Sequence, residues 1–218
     1  MSGVDLELYW MRHGESEMNT LPIFSGRSNE TPLTPKGIEQ SKKLGEFLSR
    51  QEVFPSVVYV SPALRTIQTA EYCLAEMGLD IEPLIHDALQ ELDQGDWVGR
   101  VRSEVYADPA VITEIERLGK DFKQGGGESI TDAALRGLGW ISETFDEHGP
   151  AAIPERRFVF SHAIIISSMA SHINNWSHQE TRASKIPNAS MSLFVRRQNS
   201  WELEYFGLEP EQISNQPQ

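Results

Sequence analysis

Leu8-Tyr9-Trp10-Met11-Arg12-His13-Gly14-Glu15 is an apolar run that stops at an arginine, a histidine and a glycine. With Leu6, the residues Leu8, Tyr9, Trp10 and Met11 read as a buried strand, which delivers Arg12 and His13 together at its carboxyl end. In open α/β sheets that end is where ligands bind. A guanidinium beside an imidazole, followed by a glycine that lets backbone come close to a ligand, makes a site for an oxyanion. One such triplet decides little by itself, and the residues that follow it add to the pattern.

Ser16 to Pro32 is polar, has no sustained period and reads as a loop long enough to be functional. Asn19 and the Phe24-Ser25-Gly26 turn lie near His13 in sequence, so an amide, a hydroxyl and backbone N–H groups can reach the same ligand. Thr34-Pro35 starts a helix, with Thr34 as cap, and Ile38, Leu44, Phe47 and Leu48 give it an apolar face to about Arg50. Val57 to Val60 is a second buried strand ending in Ser61-Pro62. The helix that follows has Leu64, Ile67, Ala70 and Leu74 as its apolar positions and carries Arg65 in its first turn. There the helix dipole opposes a cation, and a bound anion would remove the conflict.

Ile81 to Leu84 reads as a short strand, followed by an acidic segment, Asp87 to Asp96, in which a carboxyl group near a bound anion would suit general acid chemistry. Arg100 to Gly127 is helical and mixed, and closes in Gly125-Gly126-Gly127, a hinge able to place a lid. Ser129 or Thr131 caps a helix reaching about Glu147, with Ala134, Leu138, Ile141 and Phe145 on one face. Arg157 to Phe160 is a third buried strand, again followed by a histidine, His162, and then by an apolar helix from Ile164 to Ile173. Two alternating runs around Gln198-Asn199 should pair as a hairpin. The expected fold is a three-layer α/β/α sandwich with a mainly parallel central sheet and that antiparallel hairpin at the end. One domain spans residues 1–208, and residues 209–218 form a loose polar tail.

The bulk properties narrow the function. A chain of 218 residues, 39% of them hydrophobic, can bury a sizeable core, and its net charge of −13 argues against nucleic-acid or anionic-membrane partners. An anionic ligand must then be captured by a local cluster of cations. Neither a signal-like start nor a run of about twenty apolar residues is found, so a cytoplasmic protein is expected. The lone cysteine, Cys73, falls within a helical pattern and reads as core. His86, His148, His172 and His178 lack ligand spacing, so no metal role is assigned to them.

Parallel strands joined by helical crossovers bring their carboxyl ends to one edge, where Arg12, His13, Arg65 and His162 should converge. Arg12-His13-Gly14-Glu15, Asn19, Phe24-Ser25-Gly26, Leu33 to Gln40, Ser61 to Ala70, Glu91 to Gly99, Gly126 to Ser129 and Ser161-His162 resemble, in order and spacing, the histidine phosphatase superfamily. Its members include cofactor-dependent phosphoglycerate mutases and broad-specificity phosphatases, and the resemblance spans roughly residues 6 to 205.

The resemblance implies a role for each matching residue. His13 matches the nucleophile that becomes phosphohistidine. Arg12, Arg65 and His162 match the phosphoryl pocket, with Asn19 as a further contact, and Glu91 matches the proton donor. Ser25, Gly26 and Ala163 are added as candidate substrate contacts, although Ala163 stands where the family usually has glycine. No basic tract matches the one mutases use to hold the substrate carboxylate and second phosphate, which favours a phosphatase. The expectation is a metal-independent hydrolase, needing no cofactor, that acts on a small phosphorylated metabolite, and a homodimer is one form that this reading admits. A mutase and a non-catalytic phosphate-binding module are the alternatives. Arg27, Arg100, Arg102, Lys120 and Lys123 read as solvated surface, or else as contacts to the remote part of a substrate.

Overall fold

In the computed structural model, which describes residues 4–145, 154–198 and 200–213, the opening stretch lies in a strand, β1 (Val4–Arg12). The other strands are β2 (Val57–Val60), β3 (Leu84–Ile85), β4 (Glu155–Ser161), β5 (Met191–Arg197) and β6 (Ser200–Leu208). They form one sheet in the order β3-β2-β4-β1-β5-β6. The pairs β3/β2, β2/β4 and β4/β1 are parallel, while β5 runs antiparallel to both β1 and β6.

The helices are α1 (Pro35–Arg50), α2 (Leu64–Glu76), α3 (Arg102–Tyr106), α4 (Pro109–Leu118), α5 (Ile130–Phe145), α6 (Ala163–Ile173), α7 (His178–Ala183) and α8 (Pro210–Ile213). β1 is apolar on both faces because each face has its own helical layer. Tyr9 and Met11 pack with Leu44, Phe47 and Leu74 of α1 and α2. Leu8 and Trp10 turn the other way, to Trp140, Ile165 and Met169 of α5 and α6. A register shift between Val4 and Leu6 marks a bulge, which is why Val4 and Leu6 serve opposite layers although two residues apart. The result is an α/β/α sandwich.

Thr34 caps α1 by accepting from Gly37 N at 3.1 Å, and Pro35 occupies the position that lacks an N–H partner anyway. Cys73 is buried in the α1/α2 layer, where burial pushes its thiol pKa up. Ser129, rather than Thr131, caps α5: it exchanges 3.0 Å bonds with Asp132, while Thr131 donates to Asp121.

The structure corrects several expectations. The strand expected at Ile81 to Leu84 is confined to Leu84 and Ile85, because Pro83 has no N–H to give a ladder. The mixed helical stretch after Arg100 is split at Asp108-Pro109 into α3 and α4, with Asp108 capping the second. The chain after Leu208 does not start loose, since Pro210–Ile213 is helical and Ile213 packs on the α1/α2 layer. Glu147, His148, Asn199 and the end of the tail lie outside the described residues.

The three parallel strands β1, β2 and β4 end in register. Arg12 lies opposite Ser161, and Val60 opposite Phe160. The pairing runs one residue further, with His13 N donating to Ser161 O at 3.1 Å and Ser61 N to Phe160 O at 3.0 Å. Whatever follows each strand therefore emerges on one edge.

Candidate active site

His13 is buried at the tip of β1. Its Nδ1 lies 2.7 Å from the Gly14 carbonyl, which can only accept, so the ring proton sits on Nδ1. The lone pair is thereby placed on Nε2, which accepts from Arg65 Nε at 3.3 Å. Burial, then Arg12, then Arg65 hold the His13 pKa well below its ordinary value, so the ring is neutral near pH 7. A neutral imidazole with an unprotonated nitrogen beside a guanidinium is a competent nucleophile towards an anion that the guanidinium can hold. Gly14 does not serve ligand approach. A Cβ there would meet the Gly37 carbonyl oxygen at 2.4 Å, so this glycine admits the start of α1 against the strand tip.

Arg65 is 3% exposed, and its guanidinium also donates to the Ser28 and Gly26 carbonyls at 2.5 and 3.4 Å. Those carbonyls offset the helix dipole that opposes a cation in the first turn of α2. Its NH2 lies 3.2 Å from His162 Nδ1, which must accept, so the His162 proton is on Nε2, directed at Ser61 Oγ 2.8 Å away. Burial, then Arg65 and His13, depress the His162 pKa well below the ordinary value. Fully buried, His162 does not line the pocket, and both its nitrogens are engaged with Arg65 and Ser61. A second proton on this ring would face the Arg65 guanidinium, so His162 acts in this state as a neutral acceptor for Arg65 and not as a cationic donor to the ligand.

Arg12 donates to the Ile186 carbonyl at 2.6 Å and leaves its buried Nε without a hydrogen-bond partner. Among the described residues neither Arg12 nor Arg65 is ion-paired, and burial lowers both pKa values, that of Arg65 to about 10. A buried guanidinium and a partly buried one, neither with a paired carboxylate, are costly, and a bound anion relieves that cost. Asn19 lines the same pocket, with its Oδ1 occupied by Ser16 N and by Asn188 Nδ2, at 3.1 and 3.2 Å. This leaves the Asn19 Nδ2 donor for a ligand. Asn188 also donates to the His13 carbonyl at 3.1 Å, a positioning contact that the sequence reading did not find.

Glu91 enters from the acidic segment and is held at the amino end of α6, where its carboxyl accepts from Ile164 N and Ile165 N at 3.2 Å and from Leu92 N at 2.9 Å. Its backbone is fixed from behind. Arg27 Nε and Arg136 NH2 both donate to the Glu91 carbonyl, at 3.0 and 3.4 Å, and both guanidiniums pair with Glu128 at 2.8 Å. Arg27 is thus neither free surface nor a ligand contact. The glycine run is not a free hinge either: a Cβ on Gly125 would meet Gln94 O at 2.2 Å and one on Gly127 would meet Asp93 O at 2.4 Å. These glycines let two loop backbones touch, and so brace Glu91.

Ser25 and Ala163 line the pocket. Gly26 does not, since its N–H is spent on Gln94 Oε1 at 2.8 Å. Of the other cations considered, Arg102 reaches the pocket wall beside Tyr106, whereas Lys120 bonds the Trp176 carbonyl and Lys123 pairs with Asp132. No group of three or more His, Cys, Asp or Glu side chains suited to a metal occurs among the described residues.

The buried histidines predict a pH effect on stability. Their folded pKa values lie below the unfolded value of about 6.5, so the unfolded chain binds more protons at acidic pH. Stability is fully present above about pH 6.5 and should fall below it by up to about 1.4 kcal/mol per pH unit for each of the two rings. Urea unfolding at pH 7.5 and 5.5 measures this, and a midpoint insensitive to pH in that window would contradict the buried neutral assignment.

Residues 8–209 match the sequence model of the histidine phosphatase superfamily (branch 1). The 2,3-bisphosphoglycerate-dependent phosphoglycerate mutase of Rhizobium etli is 31% identical over 189 residues, covering 84% of this chain and 88% of that protein. Among solved structures, a mycobacterial glucosyl-3-phosphoglycerate phosphatase superposes with a TM-score of 0.76 at 23% identity, over 93% of this chain and 98% of that one. The phosphoserine phosphatase of Entamoeba histolytica, solved with 3-phosphoglyceric acid, gives 0.76 at 20% identity, over 92% and 96%. At these identities the structural likeness establishes the fold. Among the described residues no helix is long and apolar enough to cross a membrane.

Proposed function

The chain belongs to the histidine phosphatase superfamily, and from that premise we propose that it hydrolyses a small phosphorylated metabolite through a phosphohistidine at His13. The observation that carries the reading is the fixed tautomer of His13: with Nδ1–H on the Gly14 carbonyl, Nε2 presents its lone pair beside the two guanidiniums of Arg12 and Arg65. Nε2 attacks phosphorus, the P–O bond to the leaving group breaks, and Glu91 gives a proton to the departing alkoxide. The phosphorylated ring keeps its Nδ1 proton and is cationic, and the Gly14 carbonyl stabilises that charge. Water then attacks phosphorus, Glu91 takes its proton, and phosphate leaves with His13 restored. Arg12 and Arg65 hold the phosphoryl oxygens, Asn19 and Ser25 supply polar contacts, and His162 orients Arg65.

Phosphoryl transfer back to a bound glycerate is the second reading, favoured by the name of the Rhizobium relative. Hydrolysis is preferred because Arg102 is the one further cation on the wall of this pocket among the described residues, against a mutase's need to hold a carboxylate and a second phosphate. The two readings separate when 3-phosphoglycerate is supplied with 2,3-bisphosphoglycerate. Phosphate release should exceed isomerisation, and dominant isomerisation would establish the mutase. Activity is also expected to survive exhaustive chelation, since Arg12 and Arg65 supply the charge a metal would otherwise provide. Loss on chelation, restored by a divalent ion, would contradict this.

A further inference from the structure

The phosphoryl pocket continues into a second cavity. Tyr106, Gln124, Ala163 and Ile164 line both, and the second is a partly open cleft of about 210 Å³. Building on the hydrolase reading above, we propose that this cavity receives the substrate's leaving group, a flat apolar body of about two fused rings bearing a hydroxyl at its far end.

Three observations carry this. The first is the wall, where Trp97, Phe122, Ile115, Ile130 and Ile186 meet the cavity, with the Trp97 and Phe122 rings packed against each other at a tilt, their centroids 5.7 Å apart. A glycerate-sized leaving group would set a polar chain against these side chains and bury little of them. The second is size: an apolar cavity of about 150 Å³ holds one benzene ring, so this volume suits a somewhat larger ring system.

The third is His178, which lines this cavity and not the phosphoryl pocket. Both its ring nitrogens are shielded from solvent and lack a hydrogen-bond partner among the described residues. Unpartnered buried polar atoms are unfavourable, and a ligand atom is what would satisfy them. Burial, then Arg182 and Lys120, keep this imidazole neutral, so it offers one donor and one acceptor. A hydroxyl, which both donates and accepts, matches that pair. Arg182, also on the cavity wall, lies 6.0 Å over the Tyr106 ring.

The test compares kcat/KM of the full chain on phenyl, 2-naphthyl and 6-hydroxy-2-naphthyl phosphate, whose leaving groups differ little in acidity. The naphthyl ester should be preferred over phenyl by about tenfold or more, the scale on which a filled apolar pocket discriminates. The hydroxynaphthyl ester should be better still. Ser167 lines this cavity and not the phosphoryl pocket. Ser167→Phe should therefore collapse the naphthyl-to-phenyl ratio towards one, and His178→Leu should remove only the added gain from the hydroxyl. Should Ser167→Phe not fold, competitive inhibition of the wild-type chain reads the same site, with 2-naphthol expected to bind at least tenfold tighter than phenol. Equal rates on phenyl and naphthyl esters, a ratio that survives Ser167→Phe, or equal inhibition by the two phenols would overturn the inference while leaving the hydrolase reading intact. Failure to hydrolyse any of the esters would sink both.

Discussion

Replacing His13 by alanine is expected to abolish turnover and all phosphate incorporation while the protein still folds. The loss is complete because the covalent step has no substitute. Arg12 and Arg65 can still gather a phosphoryl group, but His162, the other imidazole nearby, has both nitrogens engaged with Arg65 and Ser61. Folding should survive because the ring's hydrogen bonds are few: one to its neighbour's carbonyl and one from Arg65. The backbone ties of residue 13 to Ser161 and Asn188 do not involve the side chain. Circular dichroism and steady-state rates on a reactive aryl phosphate check both halves. Substantial retained turnover would place the nucleophile elsewhere.

Glu91→Gln should cost about 10² to 10⁴ in turnover of alkyl phosphates and much less with aryl phosphates. Glutamine keeps an acceptor oxygen for the amide N–H groups of Leu92, Ile164 and Ile165, so position is conserved while proton transfer is lost. An alkoxide cannot depart without that proton, whereas a phenolate can. Asp93 is the control, because its carboxylate closes a turn onto Gly95 N at 2.9 Å and lies 4.0 Å from Arg27 without lining the pocket. The alkyl-to-aryl rate ratio should therefore drop sharply in Glu91→Gln and stay near the wild-type value in Asp93→Asn. A larger change in the second variant would transfer the acid role to Asp93.

The strand-tip convergence was legible because it rests on local signals: apolar runs of strand length, each ending at Arg12-His13, Ser61 or Ser161-His162, and helices with clear starts such as Thr34-Pro35. The parts that escaped depend on contacts between distant segments. Glu128 bridging Arg27 and Arg136 beneath Glu91 joins three separate stretches, and each residue alone looks like solvated surface. Gln94 clamping Gly26 across 68 positions has no periodic signature. In sequence the glycine run reads as a hinge because glycine permits motion as readily as it permits close contact, and only the facing Asp93–Gln94 backbone decides between them. Asn188 does carry a cue in the sequence. It precedes β5, and an antiparallel neighbour of β1 begins at the edge where β1 ends.

The account stands on covalent phosphorylation of His13, and trapping it is the direct measurement. The wild-type chain would be mixed with a labelled aryl phosphate, quenched in alkali within one turnover, digested, and its phosphopeptide sequenced by mass spectrometry. The predicted result is an alkali-stable, acid-labile phosphate on the peptide containing His13, formed as fast as the first alcohol is released. Label on His162 or on a carboxylate, or a full turnover that passes with no labelled protein, would contradict it.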